Sequence, residues 1–279
     1  MGLQAKEYHI GKDAFIDPSA DIKVTGIFFL GDRSRLGTNV KIRGNNVIFG
    51  DDLYHDGGLI VGGGGNNLFE FSNLVVGNRC VLHDNFINIC GSVVIEDDVG
   101  LSNKVSILTH GFWMSVLEGY PTKFEKVEIR SGVIIGYGTT ILPGVDIAKN
   151  IVVGANSVVT KPLVIEKSVY AGNPARFIKE IEEPTLEEKI EMLNEMLSMW
   201  KQSMEFRNQP TPIISVDYPY VSLSFDYDML MFICDVDTRK ISSNVENEVT
   251  DEFRDFMRRF GIRLYTDRPF KSLPMRYDK

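Results

Sequence analysis

Cysteine, histidine, positive charge and long apolar runs are all in short supply in this 279-residue chain, and each shortage removes a class of protein. The three cysteines, Cys80, Cys90 and Cys234, have no paired metal or redox spacing. An odd, scattered count excludes a disulfide framework and suits a reducing compartment, so a cytoplasmic location is expected. Lys and Arg number 30 against 38 Asp and Glu, a formal net charge of −8. That balance argues against nucleic acid or an anionic membrane as partner. No apolar run is long enough to insert in a bilayer, and the start, Met1-Gly-Leu-Gln-Ala-Lys6, has no signal-peptide core and no myristoylation pattern. Gly62, Gly63, Gly64 and Gly65 make a glycine run, but no GxxxxGK(S/T) follows. A mobile corner or extruded loop is the reading there, not a phosphate cradle.

What the chain does have is a period. Ile129, Ile135, Ile141, Ile147, Val153 and Val159 recur every sixth residue. Neither a helix nor an ordinary strand repeats at that spacing, whereas a solenoid does, because one short unit cannot bury its own apolar face and must stack on the next. The fourth residue after each aliphatic is small or apolar: Val133, Thr139, Val145, Ile151, Ser157 and Leu163. Gly136, Gly138, Gly144, Gly154 and Asn156 lie between them and tolerate tight corners. Three short strands per coil make a triangular prism, so a mainly β, single-chain parallel β-helix is expected. Upstream the phase continues with slips: Ile95, Leu101 and Ile107; Val76, Leu82 and Asn88; weaker hexads at Ile16, Ile22, Leu30 and Leu36. The stretch from Asp51 to Asn73 breaks it.

Ile107 and Ile129 are 22 residues apart, which is not a whole number of hexads, so an external loop, at about 111–128, must leave the prism. His110 stands at its root, at a corner where a side chain points outward. The chain has four histidines, His9, His55, His83 and His110, and no two are 18 residues, one coil, apart. Three or four converging ligands are needed for a metal, so none is expected. His83, beside Asp84, is an alternative base or a structural residue.

The stretch from about Val76 to Glu182 resembles the hexapeptide-repeat acyltransferases. The branch is that of the galactoside, maltose and xenobiotic O-acetyltransferases and many sugar acetyltransferases of surface-polysaccharide pathways. The hexads carry the resemblance, with Thr109-His110-Gly111, Ile141-Leu-Pro-Gly-Val145, Val153-Gly-Ala-Asn-Ser-Val-Val-Thr-Lys161 and Tyr170-Ala-Gly-Asn-Pro-Ala-Arg176. It implies a left-handed parallel β-helix, a homotrimer, and acetyl-CoA or another acyl-CoA in the groove between protomers. His110 falls where the family has its catalytic base, and an imidazole suits removal of a proton from an attacking hydroxyl or amine near neutral pH. Ala155, Thr160 and Lys161 match residues along the pantetheine and diphosphate, and Arg176 and Lys179 match cations near the ribose phosphate. Two departures stand out: Ile134 where many relatives have Trp, and Tyr137 where they have a small residue. Asn85 lies near a family asparagine that holds the acceptor or acyl carbonyl. Asn88 competes for that role, against the alternative of an internal amide ladder.

Beyond the repeats the period changes. Thr185 and Glu188 form a capping box, and Leu186, Ile190, Leu193, Leu197, Trp200 and Met204 then follow at helical spacing. This amphipathic helix is expected to pack on the prism or a neighbouring subunit. After Asn208-Gln-Pro-Thr-Pro212, strands are expected at Val221–Phe225, Met229–Cys234 and Ile262–Tyr265, with a helix opened by Ser243 and Glu246. Asp235 and Asp237 fall in a hairpin turn. The expected organisation is thus a β-helix domain over 1–182, a helix and linker over 183–212, and a small α+β appendage over 213–279. The expected activity is acyl-CoA-dependent acyl transfer to a hydroxyl or amino group of a sugar or nucleotide-sugar. The alternative is a catalytically silent β-helical trimerisation or sugar-binding module.

Overall fold

The computed structural model describes residues 2–63, 69–111, 114–225, 230–243 and 245–277. The chain divides into two compact units, Met1–Ile181 and Glu182–Lys279.

In the first unit the short strands stack into three sheets, one per face of a prism. Among the described residues face A has 8 strands, face B 7 and face C 9, and all pairings within the coils are parallel. On face A, Ile107 of Ser106–Ile107 pairs with Ile141 of Thr140–Ile141, which pairs with Val159 of Val158–Val159. Face B stacks Ile95, Ile129 and Ile147 in the same way, and face C stacks Leu101, Ile135 and Val153. Each of these aliphatics is at most 1% exposed. A hexad therefore crosses one face and one corner, and its inward residue meets its counterparts about 4.8 Å above and below. The result is a single parallel β-helix with a continuous core.

Corner chemistry closes the coils. Backbone N–H groups of Lys12, Asp32, Asp51 and Asn78 each donate to a side-chain oxygen one coil on, from Asp32, Asp51, Asn78 and Asp97 in turn, at 2.8 Å. A bend takes these donors out of the strand ladder, and the acidic or amide side chains satisfy them. Gly138 turns its corner with a φ of 69°. Gly136 serves space rather than φ, since a Cβ there would lie 2.5 Å from the Ala155 nitrogen.

Two slips in the repeat have physical causes. His55 occupies an inward position between Leu36 and Leu82, so Tyr54–Gly57 and Ile60–Val61 remain in the wrap although the aliphatic pattern breaks there. In the set Val76, Leu82 and Asn88 the third inward residue is Ile87, not Asn88; Asn88 follows it at the corner, 1% exposed. Of the glycine run, Gly64 and Gly65 lie outside the described residues.

The second unit begins with the helix Leu186–Phe206, capped by the Thr185–Glu188 box. Its Leu193, Leu197, Trp200 and Met204 are buried together with Val221, Leu223, Phe232, Phe253 and Met257. The stripe expected to cover the prism or a neighbour instead closes this unit's own core, on an antiparallel sheet of Ile213–Asp217, Tyr220–Phe225, Leu230–Asp235 and Lys240–Ser243. The other helix, Glu248–Arg258, is capped by Asn247, which accepts from the Val249 and Thr250 amides, and not by Ser243. Residues 262–265 are not a strand; the Leu264 carbonyl there accepts from buried Arg254 at 3.1 Å. Asp235 Oδ1 accepts from the amides of Asp237 and Thr238, a turn function. Met229, where a strand was expected to begin, lies outside the described residues. No helix among the described residues is long and apolar enough to cross a membrane.

Candidate functional site

After Ile107 the chain leaves face A, turns through Leu108 and Thr109, and lifts off the prism in the two-residue strand His110–Gly111. This pairs antiparallel with Lys123–Phe124, the returning arm of the external loop. Two arms tied together in this way hold the loop root in place. The Phe124 ring stacks on the His110 imidazole at 5.7 Å between centroids and 21° between planes. The imidazole is half-buried and lines a cleft of about 490 Å³ with Leu108, Met114, Tyr120, Lys123 and Leu142. Beyond the imidazole and one ammonium group, much of that wall is apolar.

Behind the imidazole lies a polar layer one coil down. His110 Nδ1 is 2.8 Å from Asn88 Oδ1, and Thr109, fully buried, donates from Oγ1 to the same oxygen at 2.7 Å. Asn85 is elsewhere. It is 2% exposed, its Nδ2 donates to the Ser102 carbonyl at 2.7 Å, and its Oδ1 accepts from the His83 amide at 2.8 Å. Both ends of that amide hold the corner between faces C and A, so within one protomer the asparagine at the imidazole is Asn88. His83 pairs through Nδ1 with Asp56 Oδ1 at 3.0 Å. Burial pushes the Asp56 carboxyl upward, but hydrogen bonds from His83 and the Gly57 amide hold it below the usual carboxylate range. His55 is fully buried in the prism, and His9 stacks on Phe29 at 4.7 Å near the other end. Among the described residues no three His, Cys, Asp or Glu side chains converge as a metal site would require.

The remaining candidates fall on two corners. Leu108 and Leu142 donate to the carbonyls of Ile141 and Val159, which puts His110, Thr160 and Lys161 along the corner between faces A and B. Tyr137, 53% exposed, lies along the corner between faces C and A, where its carbonyl accepts from Asn156, next to Ala155. Within one protomer the prism separates the two groups. Arg176 and Lys179 lie exposed on Arg176–Glu180, the antiparallel edge strand of face C. Thr160 and Lys161 are also exposed. Phe124, Tyr120 and Lys123 carry no periodic signal, and only the break in the repeat marks the segment that contains them.

No family model matches the chain. Several relatives align with it, three of them as follows. "Putative acetyltransferase YJL218W" of Saccharomyces cerevisiae is 38% identical over 116 residues, 40% of this chain, which spans only 58% of that protein's length. "Probable macrolide acetyltransferase" of Lysinibacillus sphaericus is 43% identical over 142 residues, 49% of this chain and 75% of the relative. "Putative lipopolysaccharide biosynthesis O-acetyl transferase WbbJ" of Escherichia coli K12 is 31% identical over 193 residues, 65% of this chain and 94% of the relative.

Proposed function

This chain belongs to the hexapeptide-repeat acyltransferases, and from that premise we propose that it moves an acetyl group from acetyl-CoA to a hydroxyl or amino group of a sugar or nucleotide-sugar, with His110 as general base. The observation that carries the reading is the position of the His110 imidazole, at the root of a tied-back loop and on the wall of a largely apolar cleft. Such a wall suits an acyl thioester, and an imidazole beside it suits the proton that must leave.

The step balances within the side chains named. His110 Nε2 takes a proton from the acceptor hydroxyl or neutral amine as its oxygen or nitrogen attacks the thioester carbonyl carbon. The carbon–sulfur bond then breaks, and the imidazolium returns the proton to the departing thiolate. Thr160, Lys161, Arg176 and Lys179 are assigned to the coenzyme's phosphate-bearing end, where exposed cations match its charge. Tyr137 and Ala155 are assigned to the pantetheine.

A homotrimer is part of the same reading. Within one prism, His110 and Ala155 lie on different corners, so a cleft that uses both needs a corner from each of two protomers. An acceptor in surface-polysaccharide assembly is favoured by the similarity to the protein named for lipopolysaccharide O-acetylation. Three buried cysteines without a disulfide agree with a reducing, cytoplasmic setting.

The test is coenzyme-thiol release from acetyl-CoA, screened against nucleotide-linked amino sugars and free glycans, for wild type and His110→Ala. Turnover should fall by at least about a hundredfold in the variant, with coenzyme affinity by calorimetry unchanged. Turnover at the wild-type level would remove His110 from the mechanism, and no saturable coenzyme binding would remove the acyl-CoA reading.

A further inference from the structure

We propose that Asn88, seated against the glycine pair Gly62–Gly63, is a positioning residue that holds His110 with its proton on Nδ1 and leaves the lone pair on Nε2. The proposal rests on the reading of His110 as base, although its first readout does not depend on activity.

The orientation of the Asn88 amide can be worked out from its neighbours. The backbone N–H groups of Cys90 and Thr109 lie 3.3 and 3.4 Å from one terminal atom. Amide N–H groups only donate, so that atom is the oxygen. The other terminal atom is 3.1 Å from the Gly62 carbonyl, which only accepts, so it is the nitrogen. His110 Nδ1, 2.8 Å from the oxygen, therefore faces an acceptor with no proton to give and must itself carry the hydrogen. In a neutral imidazole the bond made at one ring nitrogen sets the state of the other. Thr109 reinforces the arrangement. The Gly91 N–H donates to its Oγ1 at 2.9 Å, which directs the hydroxyl proton onto Asn88. Four donors thus converge on Oδ1, with the His110 and Thr109 side chains at the two short distances.

The glycine pair makes room for this. Gly63 has a φ of 151°, and a Cβ on it would lie 1.9 Å from Asn88 Nδ2. Any other residue at that position would drive the amide out of its seat. Part of the glycine run is thereby explained: Gly62 supplies the carbonyl that anchors the amide, and Gly63 supplies the space. The support extends over three consecutive coils, from Gly62 through Asn88 to His110, and Gly62, Asn88 and Thr109 are buried.

The experiment is nitrogen-15 NMR of histidine-labelled full-length protein, with the His110 signals identified by their loss in His110→Ala. Wild type should show His110 protonated at Nδ1 and bare at Nε2. Asn88→Leu and Gly63→Ala should both move it toward the opposite tautomer, with kcat down about 10- to 100-fold and KM for acyl-CoA within about twofold. Asn88→Asp keeps the shape and should retain most of the Nδ1–H form. Its carboxylate favours the imidazolium, so the acidic limb of the kcat/KM profile should move up by about one pH unit or more. A wild-type His110 protonated at Nε2, or a tautomer unchanged in both Asn88→Leu and Gly63→Ala, would overturn the proposal. If the tautomer responds as expected while His110→Ala keeps full turnover, the positioning stands and the assignment of the base fails.

Discussion

Replacing Ile141 by Ala tests the inward register on which every placement in the prism depends. Ile141 is 0% exposed and stacked between Ile107 and Val159. Three carbons leave with the substitution; at about 0.8 kcal/mol each the lost transfer energy is about 2.5 kcal/mol. The cavity left between two stacked aliphatics adds to it, for a total of about 3–4 kcal/mol. Ile60 lies on the same face but points outward, 44% exposed, and Ile60→Ala should cost about 1 kcal/mol or less. Coils in a solenoid feel mainly their neighbours, so the loss should also be local. Urea unfolding would give the totals, and hydrogen exchange read by mass spectrometry would give the location. Protection should drop first in Ser106–Ile107, Thr140–Ile141 and Val158–Val159. Equal costs for the two variants, or a loss of protection centred elsewhere, would refute the register.

His55 gives a pH signature: its Nδ1 accepts from the Gly37 amide at 3.1 Å, so the proton is on Nε2, which is buried without a hydrogen-bond partner. Burial lowers its pKa. The unfolded chain takes up a proton near pH 6.5 that the folded prism resists, so this contribution to stability is complete above about pH 6.5 and declines as pH falls below it. Urea midpoints for wild type should therefore drop more steeply between pH 7 and pH 5 than those of His55→Gln; parallel curves would contradict the burial argument. In the second unit, Arg254 is 1% exposed and donates to Asp251 at 2.9 Å and to the carbonyls of Leu264, Arg268 and Pro269. Arg254→Met leaves those acceptors short of a donor and should cost about 3–5 kcal/mol, read as an earlier unfolding transition of that unit; a midpoint at the wild-type value would show the network to be replaceable.

The prism was legible because its determinant is local and repetitive: one inward aliphatic per hexad, with a small residue or a turn former at each corner. Legibility failed where a polar residue took an inward place, as His55 does, or where a corner shortened by one residue, which made Asn88 look inward when Ile87 is. For Asn85, spacing gives the height on the prism but cannot tell that its amide is committed to Ser102 and the His83 backbone. The loop contacts of Phe124, Tyr120 and Lys123 come from one irregular excursion and have no period to read. In the second unit the helices were visible from their spacing, but which surface the stripe of Leu193, Leu197 and Trp200 would cover depended on long-range packing that spacing does not encode. The cap moved from Ser243 to Asn247 because Ser243 bonds locally to Val245 instead.

The claim with most depending on it is that the reacting groups converge only between protomers. It is tested most directly by co-expressing His110→Ala with Ala155→Trp, each inactive alone, and purifying mixed assemblies through two tags. Each mixed trimer has one cleft in three that combines the intact corner of each parent, so the purified mixed assemblies should restore roughly a third of wild-type turnover. Activity no higher than that of the two parents would place both corners' groups in one protomer's site and contradict the account.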